Sequence, residues 1–243
     1  MIEFQKVTKK FNDSYALKEI NLNFDGNKTT VLIGSSGCGK STILKLISGL
    51  LSPDSGQIKF NGEELNPVSL REIRRKIGFV IQGGGLFPHL TAKENVILMA
   101  KELRKTKKEI QAKLEELLET CHFKKDFLGH YPSELSGGQI QRVALIRSLM
   151  LDPKVLLLDE PLGALDPVIR SSLQEELRET FRQLRKTVIF VTHDMAEAEF
   201  FGDNIILMKR GEIVQLGTIK EIISNPKNDY VSEFLNSQRS TTW

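Results

Sequence analysis

Lys40 and Ser41 close the run Gly34-Ser35-Ser36-Gly37-Cys38-Gly39-Lys40-Ser41, which directly follows the apolar residues Val31, Leu32 and Ile33. Glycines at 34, 37 and 39 allow the backbone to turn its N–H groups inward as a nest for phosphate oxygens. Lys40 supplies a cation for the β and γ phosphates, and the Ser41 hydroxyl suits a Mg2+ ion. The spacing predicts a strand, a phosphate-binding loop and a helix over Ser41 to Leu50 whose N-terminus aims at the same anion. Such a chain binds a nucleoside triphosphate. Ser35, Ser36, Cys38 and Thr42 complete the expected binding set, with Cys38 as a small filler of the loop.

Breaking a γ-phosphate bond by in-line attack of water further requires a metal ligand, a base, and donors where charge develops. Val155 to Leu158 reads as a buried strand ending in Asp159-Glu160, and Val188 to Val191 as another ending in Thr192-His193-Asp194. Acids at the C-terminal edge of a parallel sheet stand where such folds hold ligands. Asp159 is therefore expected to hold Mg2+ and Glu160 to act as general base, a role worth a factor of about 10²–10⁴ in rate. A plain surface acid is the competing reading of Glu160. Leu135-Ser136-Gly137-Gly138-Gln139 opens a further helix through Val143 and Ile146, in which Ser136 and Gln139 have capping-box spacing. Gly137 and Gly138 leave that helix end bare, a second anion site beyond the one the phosphate loop provides.

These residues need a scaffold, and the rest of the chain supplies its outline. Ile20, Leu22 and Phe24 alternate with asparagines as an edge strand, and Asp25-Gly26-Asn27 turns the chain into the phosphate-loop strand. An antiparallel layer thus leads into a parallel core. Ile110, Leu114, Leu117, Leu118 and Cys121 fall at helical spacing within an expected helical insertion over residues 83–151, leaving 1–82 and 152–243 as the catalytic core. Met208 to Gly217 reads as a hairpin around Arg210-Gly211, followed by a short helix from Ile219 to Ile223 that stops before Pro226. Residues 237–243 are polar and expected to form a mobile tail.

Composition excludes several classes. With 243 residues, 40% hydrophobic and 27% charged, the chain can bury a core as one domain, and a net charge of +3 gives no reason to expect nucleic acid. Two cysteines make no disulfide framework, and Met1-Ile2-Glu3-Phe4 lacks the layout of a secretory signal, so a cytosolic setting is expected. No apolar stretch approaches the roughly 18 residues that span a bilayer. Any membrane role must come through a partner.

In order along the chain, the phosphate loop, LSGGQ, the strand ending Asp159-Glu160, Gly163-Ala164-Leu165-Asp166 and the strand ending at His193 resemble the ATP-binding cassette of ABC transporters from Met1 to about Gly217. The resemblance implies an α/β fold: a P-loop NTPase core with a parallel sheet, an N-terminal antiparallel β layer and the helical insertion carrying LSGGQ. It implies ATP with Mg2+, Glu160 as base, His193 as the switch histidine on the γ-phosphate, and Gln82 as the metal- and water-sensing glutamine. It implies a homodimer in which Ser136, Gly137, Gly138 and Gln139 meet the ATP of the second copy and Asp166 couples the two sites. Adenine would stack on Phe11, with Tyr15 as the alternative. Leu86-Phe87-Pro88-His89-Leu90-Thr91, followed by Glu94-Asn95-Val96, resembles bacterial importers, whose permease docks there on the cytoplasmic side of the membrane and receives solute from a binding protein. Val80-Ile81-Gln82 resembles the glycine betaine, choline and carnitine group, with amino-acid or polyol uptake as the alternative. Soluble cassettes acting on ribosomes or DNA usually carry two cassettes or long insertions, which are not seen here. Gly83-Gly84-Gly85 replaces bulkier residues of that group, and the three glycines predict a pliant segment ordered by contact with a partner.

Overall fold

The computed structural model describes residues 1–163 and 167–239, and in it the chain divides into two compact units, one of Met1–Arg74 with Thr187–Trp243 and one of Arg75–Lys186. The first unit opens with β1 (Ile2–Phe11), β2 (Ser14–Phe24), β3 (Thr29–Gly34), α1 (Lys40–Ile47), β4 (Ser55–Phe60), β5 (Glu63–Glu64) and α2 (Leu70–Arg75). The second holds β6 (Ile77–Val80), α3 (Ala92–Glu102), α4 (Lys107–Thr120), α5 (Gly137–Leu149), β7 (Val155–Asp159) and α6 (Pro167–Leu184). The chain then returns through β8 (Thr187–Val191), α7 (Met195–Phe201), β9 (Asn204–Lys209), β10 (Glu212–Gly217), α8 (Ile219–Ser224) and α9 (Asp229–Arg239).

β3 carries Val31, Leu32 and Ile33 at its centre and all six of its residues are buried, the pattern of a strand covered on both faces. It pairs in parallel with β8 on one side and β9 on the other, while β10 folds back antiparallel on β9. α1 and α7 pack on β3, and Ile43, Leu44 and Ile47 join its side chains in the core. The antiparallel layer runs in the order β2-β1-β4-β5, with β2 at the edge the sequence predicts. Phe4 and Phe24 meet edge to face there at 6.1 Å.

In the second unit β6 and β7 are parallel, with Val80 opposite Leu158. α5 packs on β6 and on α3 and α4, and it buries residues on several sides, among them Gln141, Val143, Ala144, Leu145 and Ile146. α4 turns Ile110, Leu114, Leu117 and Leu118 inward, and Cys121 follows as its cap. Burial pushes the Cys121 thiol up to about 12, so it stays protonated and unreactive at neutral pH. Iodoacetamide at pH 8 is expected to leave Cys121 unmodified in the folded protein and to alkylate it in denaturant. Mass spectrometry of the tryptic peptide reads the result, and native-state labelling would contradict it.

Two expectations change. α9 continues through Arg239, so 237–239 are helical rather than part of a tail, with Val231 and Leu235 buried beneath the helix. The remaining tail residues 240–243 lie outside the described residues. Met208 to Gly217 is a hairpin as expected, but its first strand begins earlier, at Asn204. Among the described residues no helix is long and apolar enough to cross a membrane.

Candidate functional site

In the first unit the phosphate loop leaves the C-terminal end of β3, and His193 follows the end of β8 beside it. Leu32 lies opposite Val191, so Gly34 and His193, each two residues further on, emerge from the same edge of the sheet. Gly39 has φ 112°, and a Cβ there would stand 2.5 Å from the Ala16 carbonyl oxygen and 2.8 Å from Leu17 Cδ2. Only glycine fits this corner. The loop is braced from the β9–β10 turn, where Gly211 donates its N–H to Cys38 O at 3.0 Å and accepts from Lys18 N at 2.9 Å.

Lys40 is buried, and its ammonium donates to Gly34 O at 2.7 Å and to Ser35 O at 3.2 Å, with Cys38 Sγ 3.8 Å away. The charge is thus drawn inside its own loop by carbonyl oxygens, which phosphate oxygens can replace. α1 starts at Lys40, one residue earlier than expected, and its N-cap is Gly39, which offers no side chain to the first-turn amides. α3, α4, α5 and α8 all begin with capping boxes. The helix behind the phosphate loop therefore keeps its amides and dipole for an anion. Ser35, Ser36 and Gly37 are exposed, and Ser41 and Thr42 are half-buried in the first turn.

His193 is exposed, and the chain around it is fixed from below. Thr192 donates its hydroxyl to the buried Glu197 carboxylate at 2.6 Å and accepts from Asp194 N at 3.0 Å. Asp194 caps α7, accepting from Ala196 N at 2.8 Å. The two aromatic candidates stand at the β1–β2 end, where Lys9 lies opposite Leu17, whose side chain abuts Gly39, and Lys10 opposite Tyr15. Lys9 Nζ is 5.8 Å from the Phe11 ring and Lys10 Nζ 4.3 Å from the Tyr15 ring. The pairing slips between Lys9 and Lys10, so strand register does not choose between the two rings.

In the second unit Gln82 and Glu160 stand two residues beyond the paired Val80 and Leu158. Gln82 Nε2 reaches Glu160 Oε2 at 3.4 Å. Glu160 takes φ 45°, a left-handed conformation that costs a residue with a Cβ about 1–2 kcal/mol. That turn bends the chain sharply just after Asp159 and closes with Gly163 N donating to Glu160 O at 3.2 Å. Ser136 caps α5 by accepting from Gln139 N at 3.3 Å, and Gln139 Oε1 accepts from Ser136 N at 2.8 Å, the reciprocal box its spacing predicts. Gly137 is exposed and Gly138 buried in the first turn. Asp166 lies outside the described residues. The Ser41 hydroxyl, the Asp159 carboxylate and the Gln82 amide oxygen are hard oxygen donors, the chemistry that Mg2+ takes.

Sequence reasoning gave Asn95 no role of its own and passed over Arg147. Asn95 is fully buried in α3, accepting from Phe87 N at 2.7 Å and donating to the carbonyls of Phe87, Leu90 and Thr91 at 3.1, 3.0 and 3.1 Å. It holds the loop so that Phe87 stays 45% exposed. A polar residue inside an apolar helix face was the available signal. Arg147 binds the glycine segment, which is therefore ordered by its own packing rather than pliant.

A sequence model of the family described as "ABC transporter" matches residues 17–163. The glycine betaine/carnitine/choline transport ATP-binding protein OpuCA of Bacillus subtilis (strain 168) is 44% identical over 98% of this chain and 63% of its own length. The chain thus spans less than two thirds of that relative. The glycine betaine uptake system ATP-binding protein YehX of Escherichia coli (strain K12) is 43% identical over 96% of this chain and 76% of its own length. Among solved structures, the dimeric structure of MJ0796, a bacterial ABC transporter cassette, is 37% identical with a TM-score of 0.81, covering 90% of this chain and 99% of that one. A match over more than half of the chain, together with a relative matched over three quarters of its own length, settles the assignment: this chain belongs to the ABC transporter family.

Proposed function

We propose that the chain is the ATP-hydrolysing subunit of a bacterial importer for quaternary-amine osmoprotectants such as glycine betaine, choline or carnitine. The observation that carries the ATPase reading is the acid pair at the end of β7, Asp159 and Glu160, with the Gln82 amide 3.4 Å from the Glu160 carboxylate. In this reading Lys40 exchanges its loop carbonyls for the β and γ phosphates, the loop amides and α1 N-terminus hold the same oxygens, and Phe11 stacks on adenine. Mg2+, held by Ser41 and Asp159 with Gln82, would supply charge neutralisation between the phosphates. Glu160 takes a proton from the attacking water while Gln82 orients its carboxylate. His193 donates to the γ-phosphate as charge moves onto its oxygens. ATP and water give ADP and phosphate.

The subunit works as a homodimer in which Ser136 to Gln139, and Asp166, act on the ATP of the second copy. Its partners are membrane permease subunits that seat it on the cytoplasmic face, fed by a substrate-binding protein. The named transport roles of the relatives support the solute, and a dimeric cassette of high structural similarity supports the assembly.

The test uses the loop that Asn95 holds. Phe87→Glu is expected to leave basal ATPase of the isolated subunit within about twofold, and to abolish stimulation by the permease and uptake of radiolabelled betaine at high osmolarity. A deletion strain should lose betaine or choline accumulation, with wild type but not Phe87→Glu restoring it. Normal accumulation in that strain, with loss of an amino acid or polyol instead, would move the substrate and leave the ATPase standing.

A further inference from the structure

Three consecutive glycines join Gln82 to the loop that Asn95 braces, and all three take left-handed backbone, with φ of 74°, 79° and 56° at Gly83, Gly84 and Gly85. The turn closes where Gly84 N donates to Ile81 O at 2.9 Å. A Cβ on Gly84 would stand 2.9 Å from Ile140 Cγ2 and 3.4 Å from Ala144 Cβ, so this backbone lies directly against α5. Further along the same helix Arg147 reaches back to it. Its Nη1 donates to Gly85 O and its Nη2 to Gly84 O, both at 2.8 Å. A guanidinium offers its donors as a planar fork, and two neighbouring carbonyls meet it. Burial draws the Arg147 pKa below the ordinary arginine value, so the two carbonyls stand in for lost water.

The two ends of this clamp carry different chemistry. Gln82 lies immediately before the glycines with its amide against Glu160, and Ser136 opens the helix on which Arg147 stands. Resting on the ATPase reading above, we infer that Arg147 is a positioning residue that locks the segment after Gln82 onto the signature helix. Gln82, the Ser136 cap and the Phe87 loop then move as one body. A displacement at the nucleotide becomes a displacement of the docking loop with no slack in the glycines. Lysine at 147 keeps the charge but has no planar fork for both carbonyls.

Arg147→Lys breaks the clamp from the helix, Gly84→Ala breaks it from the loop, and the double variant reports whether they are one interaction. Each single variant is expected to lose about tenfold to a hundredfold in kcat, with KM for MgATP and monomer nucleotide affinity within about twofold of wild type. The double variant should lose less than the product of the two single losses, because both changes act on one contact. Losses that multiply, or a lowered thermal midpoint with unchanged kcat, would overturn the inference. Hydrogen exchange supplies a readout independent of turnover. Amides of 83–87 should exchange faster in Arg147→Lys than in wild type, and unchanged exchange would refute the clamp. Wild-type protein that hydrolyses no ATP would instead refute the ATPase reading, with the exchange result still deciding the clamp.

Discussion

Glu160→Gln is expected to keep ATP binding and to lose turnover by about 10²–10⁴-fold, the usual worth of a positioned base. Glutamine matches glutamate in size and adopts the same left-handed backbone at φ 45° with no further strain. It can still meet Gln82, by turning its amide oxygen toward Nε2. What it cannot do is accept a proton from water. Unhydrolysed ATP should then hold two copies together, and sizing chromatography with and without Mg-ATP would show a dimer only with nucleotide. Single-turnover phosphate release reads the chemistry directly. A variant with full turnover would remove Glu160 from the mechanism.

Lys40→Ala and Ser136→Arg should each abolish multiple-turnover ATPase, by opposite routes. Removing the Lys40 ammonium deletes a charge-assisted contact to phosphate, and monomer affinity should weaken about tenfold to a hundredfold. Ser136→Arg costs the α5 cap about 1 kcal/mol and places bulk and a cation at the helix N-terminus that Ser136 now caps. Its monomer should bind a fluorescent ATP analogue within about twofold of wild type yet form no nucleotide-dependent dimer. Fluorescence titration of the two variants separates the cases. Equal loss of affinity in both would contradict a signature that acts on the second copy.

The chemistry was legible wherever a short run of residues determines its own geometry. The glycine at 39 announces a corner closed to any Cβ, and the Ser136–Gln139 spacing announces a reciprocal cap. Apolar runs before Asp159 and His193 announce buried parallel strands, because both faces are covered. β1 escaped because its pairing with β2 slips at three places, which breaks the alternation that marks a strand. α3 was announced by Thr91 and Glu94 at capping-box spacing, yet the loop ahead of it drew the reading instead. Arg147 left no trace, since its partners are backbone carbonyls and any sequence supplies those. The glycines at 83 to 85 were visible but misread. Left-handed backbone pressed on a helix needs glycine as much as a flexible hinge does.

The pairing of β3 has a consequence for how the protein is made on the ribosome. The two neighbours of this strand, β8 and β9, follow it by about 160 and 175 residues, from Thr29 to Val188 and from Thr30 to Asn204, an interval on the order of ten seconds or more of synthesis. The whole Arg75–Lys186 unit is translated within that interval. Until β8 and β9 arrive, Thr29–Gly34 is a nascent strand with an apolar centre and both edges unpaired, a segment of the kind that recruits chaperones or aggregates. The phosphate loop is therefore completed among the last parts of the molecule although it is written among the first, and nucleotide can reward folding only after that closure.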